Sequence, residues 1–201
     1  MIQTTDGPAI AEVIASSTGG YTAEVMREAD VPAFGAWVAT RSSDGVLTLG
    51  VVGYVERGSM VSNRQAVALG REREALQREM PHVLELLRTT VDVHLLAHVD
   101  AGGRLRQTVP PHPPAIHDFV MEAPDAVVQA IGAPFDVLRT LASRIDEAVS
   151  AEDLLAATLR ALRESRPTPA EGRSVVIDAG RVLSRLYRDD HERLQAILRR
   201  L

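Results

Sequence analysis

The chain has 201 residues, is 45% hydrophobic, carries formal net charge −5 and places all of its positive side-chain charge on 22 arginines, with no lysine and no cysteine. Without cysteine there is no disulfide framework, thiol nucleophile or cysteine-ligated metal centre. Without lysine there is no phosphate loop of the Walker type, whose glycine-rich turn ends in a lysine, and no lysine amine for Schiff-base chemistry.

Met1–Val13 lacks the basic-then-apolar order of a secretory signal. No apolar run approaches the roughly 20 residues that span a bilayer. The expectation is a soluble, cytoplasmic chain without membrane contact. Residues 9–57 carry strand signals. Phe34–Thr40 alternates small and bulky residues, Asp44-Gly45 is a two-residue turn signal, and Val46–Val55 follows with Gly50 and Gly53 inside it. Glycine within a strand marks a bulge, tight curvature or close backbone approach, and several in short strands suit a small barrel.

Over Arg64–Leu87 the period changes. Ala66, Leu69, Leu76, Met80, Leu84 and Leu87 fall at helical spacings, and Pro81 divides the run into two short helices. Val91–Asp100 alternates again, with Val91, Val93, Leu95, Ala97 and Val99 on one face and Asp92, His94, Leu96, His98 and Asp100 on the other. A turn at Asp100–Gly103 lets Arg104–Val109 return as a hairpin. Residues 7–109 are predicted as a small β-barrel with a helical insertion near 64–87.

Pro110, Pro111, Pro113 and Pro114 forbid regular helix, so 110–117 reads as a proline-rich linker or a segment wrapping over the barrel. Beyond Ile116–Met121 the chain reads as helical, giving a module over 118–201. Pro134 suits a first helical turn, followed by a stripe of Leu138, Leu141, Ile145 and Val149. Ser150 caps a helix with Leu154, Leu155, Leu159 and Leu162 on its apolar face. Glu164–Gly172 reads as a loop. A further helix carries Val175, Val176, Val182, Leu183 and Leu186, and the last starts near Asp189 and Asp190 and carries Leu194, Ile197, Leu198 and Leu201. The fold class is a mainly β N-terminal barrel followed by an α-helical C-terminal module.

Six histidines are available for metal or proton chemistry: His82, His94, His98, His112, His117 and His191. His94 and His98 share a strand face, but four strand residues span about 13 Å, too far for one metal ion. They read as a polar outer face. His112 and His117, with Asp118, flank the proline run and read as structural contacts rather than a general base. His94, His98, His112 and His117 are therefore candidate interface or interdomain contacts. Adjacent carboxylates on a helix point about 100° apart, so Asp189 and Asp190 read as a helix start rather than a metal clamp. No catalytic, cofactor-binding or metal-ligating residue is assigned, and no cofactor is expected.

The one basic stretch is Arg181–Leu201. Arg181, Arg185, Arg188, Arg193, Arg199 and Arg200 there outweigh Asp189, Asp190 and Glu192, giving +3. Arginine clamps phosphate bidentately, which makes these six candidate nucleic-acid contacts. Few aromatics are present to stack bases.

Ala11–Val25 (AEVIASSTGGYTAEV), Val31–Thr40 (VPAFGAWVAT), Leu49–Ser59 (LGVVGYVERGS) and Leu86–Asp100 (LLRTTVDVHLLAHVD) together resemble the HAS-barrel, the small β-barrel shared by HerA-type hexameric DNA translocases and rotary ATP synthase subunits. Pro110–Val120 (PPHPPAIHDFV) is similar to the proline-rich exit segment of bacterial proteins of this group. The resemblance spans about residues 7–120, and the helical part resembles the tail of standalone HAS-barrel proteins. It implies a role in assembly, since the barrel of the translocases is implicated in docking the partner nuclease NurA. It carries over no catalytic residue, and it implies a docking element without the motor.

The leading expectation is thus a nonenzymatic adaptor or assembly module for DNA processing, whose protein partner is an ATPase, a nuclease or the chain itself. One alternative is a nucleic-acid-binding accessory protein using the arginine-rich C-terminus. Another is a metal-dependent hydrolase assembled from dispersed His and Asp residues.

Overall fold

The computed structural model describes residues 6–59, 66–144 and 149–201. Arg64, the start of the expected helical segment, and Ile145, assigned above to a helical stripe, lie outside these residues. The described residues form seven strands: β1 (Ala9–Ser17), β2 (Gly20–Val25), β3 (Trp37–Arg41), β4 (Leu47–Ser59), β5 (Leu87–Val99), β6 (Leu105–Arg106) and β7 (Phe119–Glu122). Their order is β2-β1-β7-β3-β4-β5-β6, and a further β2–β5 pairing closes a six-stranded barrel with β6 as a short annex on β5. Every pairing is antiparallel. Closure removes the barrel's free edges.

The strand glycines act where backbones crowd. Gly53 is the extra residue of a bulge in β4, and a Cβ there would stand 2.4 Å from the His94 ring. A Cβ at Gly50 would stand 2.4 Å from Val93 Cγ1 and 2.7 Å from the His94 carbonyl oxygen. Each bulge also flips the pleat. Val91, Val93 and Leu95 fill the barrel interior with Val13, Ala23, Val38 and Val52. Leu96 is the extra residue of a bulge in β5, so Ala97 and Val99 turn outward with it to a second core. The single alternation expected over Val91–Val99 therefore breaks at Leu96, and His98 is buried rather than on an outer polar face.

The proline run does not separate two bodies. β7 follows it in sequence and lies between β1 and β3, so part of the stretch expected to be helical completes the barrel. Pro110 and Pro114 are buried, and the run wraps over one barrel end beside Thr40 and Thr48. A barrel needs every strand position filled, and the apolar Val120, paired with Ala11 and Thr40, fits the interior side of the gap between β1 and β3.

The described residues form seven helices, in chain order α1 (Arg73–Glu79) and α2 (Pro81–Glu85) between β4 and β5, then α3 (Asp125–Ala130), α4 (Asp136–Ala142), α5 (Ala151–Glu164), α6 (Pro169–Leu186) and α7 (His191–Leu198). Pro81 begins α2, as a residue without an N–H can at a helix start. Ser150 caps α5, accepting from the Asp153 N–H at 3.1 Å, and Asp190 caps α7, accepting from the Arg193 N–H at 3.1 Å. α6 starts within the stretch expected as a loop. Thr168 caps it, Pro169 opens it and Glu171 lies three residues on, the pattern of a helix start. α4 ends at Ala142, before Val149.

One core joins barrel and helices. Trp37, Leu47, Leu49, Leu96 and Met121 on the outer wall pack with Phe135, Leu138, Leu155, Leu159 and Leu183 from α4 to α6. Gly35 makes the close approach possible. Its φ is +83°, and a Cβ there would lie 2.4 Å from Ala157 Cβ on α5.

Candidate interaction surfaces

The four histidines expected at contacts do not converge. His98 Nδ1 lies 3.1 Å from the Thr108 carbonyl oxygen and fixes the approach to the proline run. His112 lines a hollow of about 390 Å³ between that run and the β3–β4 turn, where its charge acts on Asp44. The Ser42 hydroxyl and the Val46 amide, and to a lesser extent His112, hold the Asp44 carboxyl below its ordinary range. His117 has φ +74° and pairs through Nδ1 with Glu12. His94 lies on the outer face of β5 over Gly53. All four thus touch elements of the barrel. Among the described residues no group of three or more His, Asp or Glu could hold a metal ion.

The C-terminal arginines divide into two sets. Arg193 pairs with Glu152 and stacks 5.4 Å from the Tyr187 ring centroid, and Arg200 Nε lies 2.6 Å from Asp153 Oδ1. Both clip α7 to the first turn of α5. Arg160 and Arg163 of α5 complete the clip by donating to the carbonyls of Arg200 and Leu201. Arg181 and Arg188 pair with Asp178 and Asp189 in their own segment, Arg185 Nε donates to the Arg181 carbonyl, and Arg199 is exposed. Arg181, Arg185, Arg188 and Arg199 face solvent, while Arg193 and Arg200 hold the fold.

The clip titrates. Partial burial works against the Glu152 carboxylate, but the Arg193 hydrogen bond and the nearby arginine charges outweigh it and hold the group below its ordinary pKa. A carboxyl lowered in the folded state stabilises above its unfolded pKa and loses that contribution as pH falls through the folded value. Glu152→Gln should therefore lower the thermal midpoint at pH 7 and leave a much smaller difference from wild type at pH 3. Equal differences at both pH values would contradict the clip.

Among the surfaces that expose apolar side chains, two are on the barrel side of the molecule. The first is an arm. Arg57–Ser59 of β4 and Leu87–Thr89 of β5 pair with each other, and among the described residues no third strand joins them. The arm carries α1 and α2, neither of which has a buried residue. Leu76, Met80, Val83 and Leu84 are half-buried and Leu86 is exposed. Arg27 Nη2 ties the arm to the β2 end by donating to the Glu85 carbonyl at 3.0 Å. The second surface is the outer wall of β2, β1 and β7, where Ile14 and Phe119 are exposed on the strands that carry Glu12 and Glu24, and Ile116 is exposed ahead of β7. The wall was not visible in the sequence, because strand order decides which residues are neighbours.

No helix of the described residues is long and apolar enough to cross a membrane. Among protein-family models and curated proteins, nothing matches this chain.

Proposed function

We propose that the chain is a nonenzymatic assembly module that docks a protein partner through the α1–α2 arm, on a barrel resembling the HAS-barrel. The arm carries this reading. The two helices contribute no residue to either core, yet hold Leu76, Met80, Val83, Leu84 and Leu86 half-buried or exposed. Exposed apolar groups on a short amphipathic element suit a groove on another protein. The resemblance favours a HerA-type ATPase or its nuclease as that partner.

The test compares tagged wild-type protein with Leu84→Glu/Leu86→Glu, each purified from native cells. The wild type should retain an ATPase or nuclease of DNA processing, and the variant should lose it while keeping its thermal midpoint. Retention of the same partner by the folded variant would remove the arm from the account.

A further inference from the structure

The wall and α6 carry complementary patterns. Across β2, β1 and β7, Glu24, Glu12 and Phe119 stand side by side in one outward row. Neighbouring strands are about 4.8 Å apart, which sets the spacing of that row. Two glutamates directly opposite one another across a strand pair repel. Their partners within the chain are weak and exposed: Arg88 Nη1 lies 3.8 Å from Glu24, and His117 pairs with Glu12. Phe119 beside them is 56% exposed.

α6 packs on α5 through Val175, Ala179 and Leu183. Its opposite side presents Arg185, Arg181 and Ile177 at four-residue intervals, all exposed, with Ile177 at 56%. Four helical residues rise about 6 Å, close to the spacing between strands. The order arginine, arginine, isoleucine therefore matches the order glutamate, glutamate, phenylalanine. α6 packs against α4, α5 and α7, with Ile177, Arg181 and Arg185 turned to solvent, so the strip is open to a second copy.

We infer that the wall of one copy receives the α6 strip of a second copy, with Arg185 on Glu24, Arg181 on Glu12 and Ile177 on Phe119. The contact relieves the glutamate repulsion and covers two exposed apolar side chains together. The two surfaces differ, so the association is head-to-tail and gives a ring if the rotation closes and an open chain if it does not. This inference is independent of docking through the arm.

Sedimentation velocity of the full chain over a wide concentration range tests it. The wild-type mass should rise with concentration, and added salt should reduce it. Glu12→Arg/Glu24→Arg and Arg181→Glu/Arg185→Glu should each weaken association about tenfold or more while retaining the wild-type circular dichroism spectrum. An equimolar mixture of the two variants should associate again, because each supplies the charges the other needs. A wild type that stays monomeric throughout, folded variants that associate like the wild type, or a mixture that stays monomeric would each overturn the inference. If a reversed variant misfolds, Phe119→Ser and Ile177→Ser repeat the comparison, and unchanged association in both would count equally against it.

Discussion

Phe135→Ala should cost about 3–5 kcal/mol, the range for removing a buried aromatic ring from a packed core. Phe135 is 2% exposed and packs in the core shared by the barrel wall and the helices. Its φ is +57°, but alanine meets the same backbone constraint, so the change isolates the lost ring. Against a total stability of about 5–15 kcal/mol this is a large fraction. The informative part is which signals move. Trp37, the one tryptophan, lies in the barrel wall and in the same core, whereas the far-ultraviolet helical signal comes largely from the C-terminal half. Urea unfolding should show both signals shifting to the same lower midpoint. A helical signal that shifts while Trp37 fluorescence does not would mean two separate domains and would contradict the shared core.

Gly35→Val should destabilise by about 2–5 kcal/mol, from two sources that a control separates. A valine at φ +83° pays about 1–2 kcal/mol for the left-handed backbone. Its Cβ would also stand 2.4 Å from Ala157 Cβ and 2.8 Å from the Ala157 carbonyl carbon, so α5 must move outward, adding about 1–3 kcal/mol. Gly45 has φ +85° with nothing within 4 Å of the same built atom. Gly45→Val should therefore show the backbone cost alone. Equal losses at the two positions in chemical denaturation would show that α5 does not press on the barrel at Gly35.

What the sequence reveals and what it conceals divide by range. The Asp44-Gly45 turn, the division at Pro81 and the Ser150 cap depend on neighbouring residues, and local chemistry shows each of them. The Thr168-Pro169 start of α6 was equally local, but two prolines in Glu164–Gly172 read as loop before they read as cap and first turn. β7 was not legible in the same way. Four residues after a proline run acquire their strand identity from β1, more than a hundred positions earlier, and from β3. The β5 bulge at Leu96 was hidden for a related reason. An unbroken alternation of apolar residues gives no sign of an extra residue until the partner strand is known.

The candidate surfaces follow the same division. Arginine density marked the C-terminus, yet density does not distinguish Arg193 and Arg200, bound to Glu152 and Asp153, from the exposed Arg181 and Arg185. The helical spacing over Arg64–Leu87 and the break at Pro81 announced the two helices of the arm, although Ala66 and Leu69 lie ahead of α1 and Leu87 opens β5. That its helices would add nothing to either core was not legible, because an apolar stripe looks alike whether it meets a core or a partner.

The docking claim is tested most directly by amide hydrogen exchange of the full chain, alone and bound to the protein it retains from native cells. The account predicts slowed exchange concentrated over α1 and α2 and the adjoining ends of β4 and β5, with the barrel interior unchanged. Unchanged exchange over residues 73–86 in the complex, with protection appearing elsewhere, would contradict it.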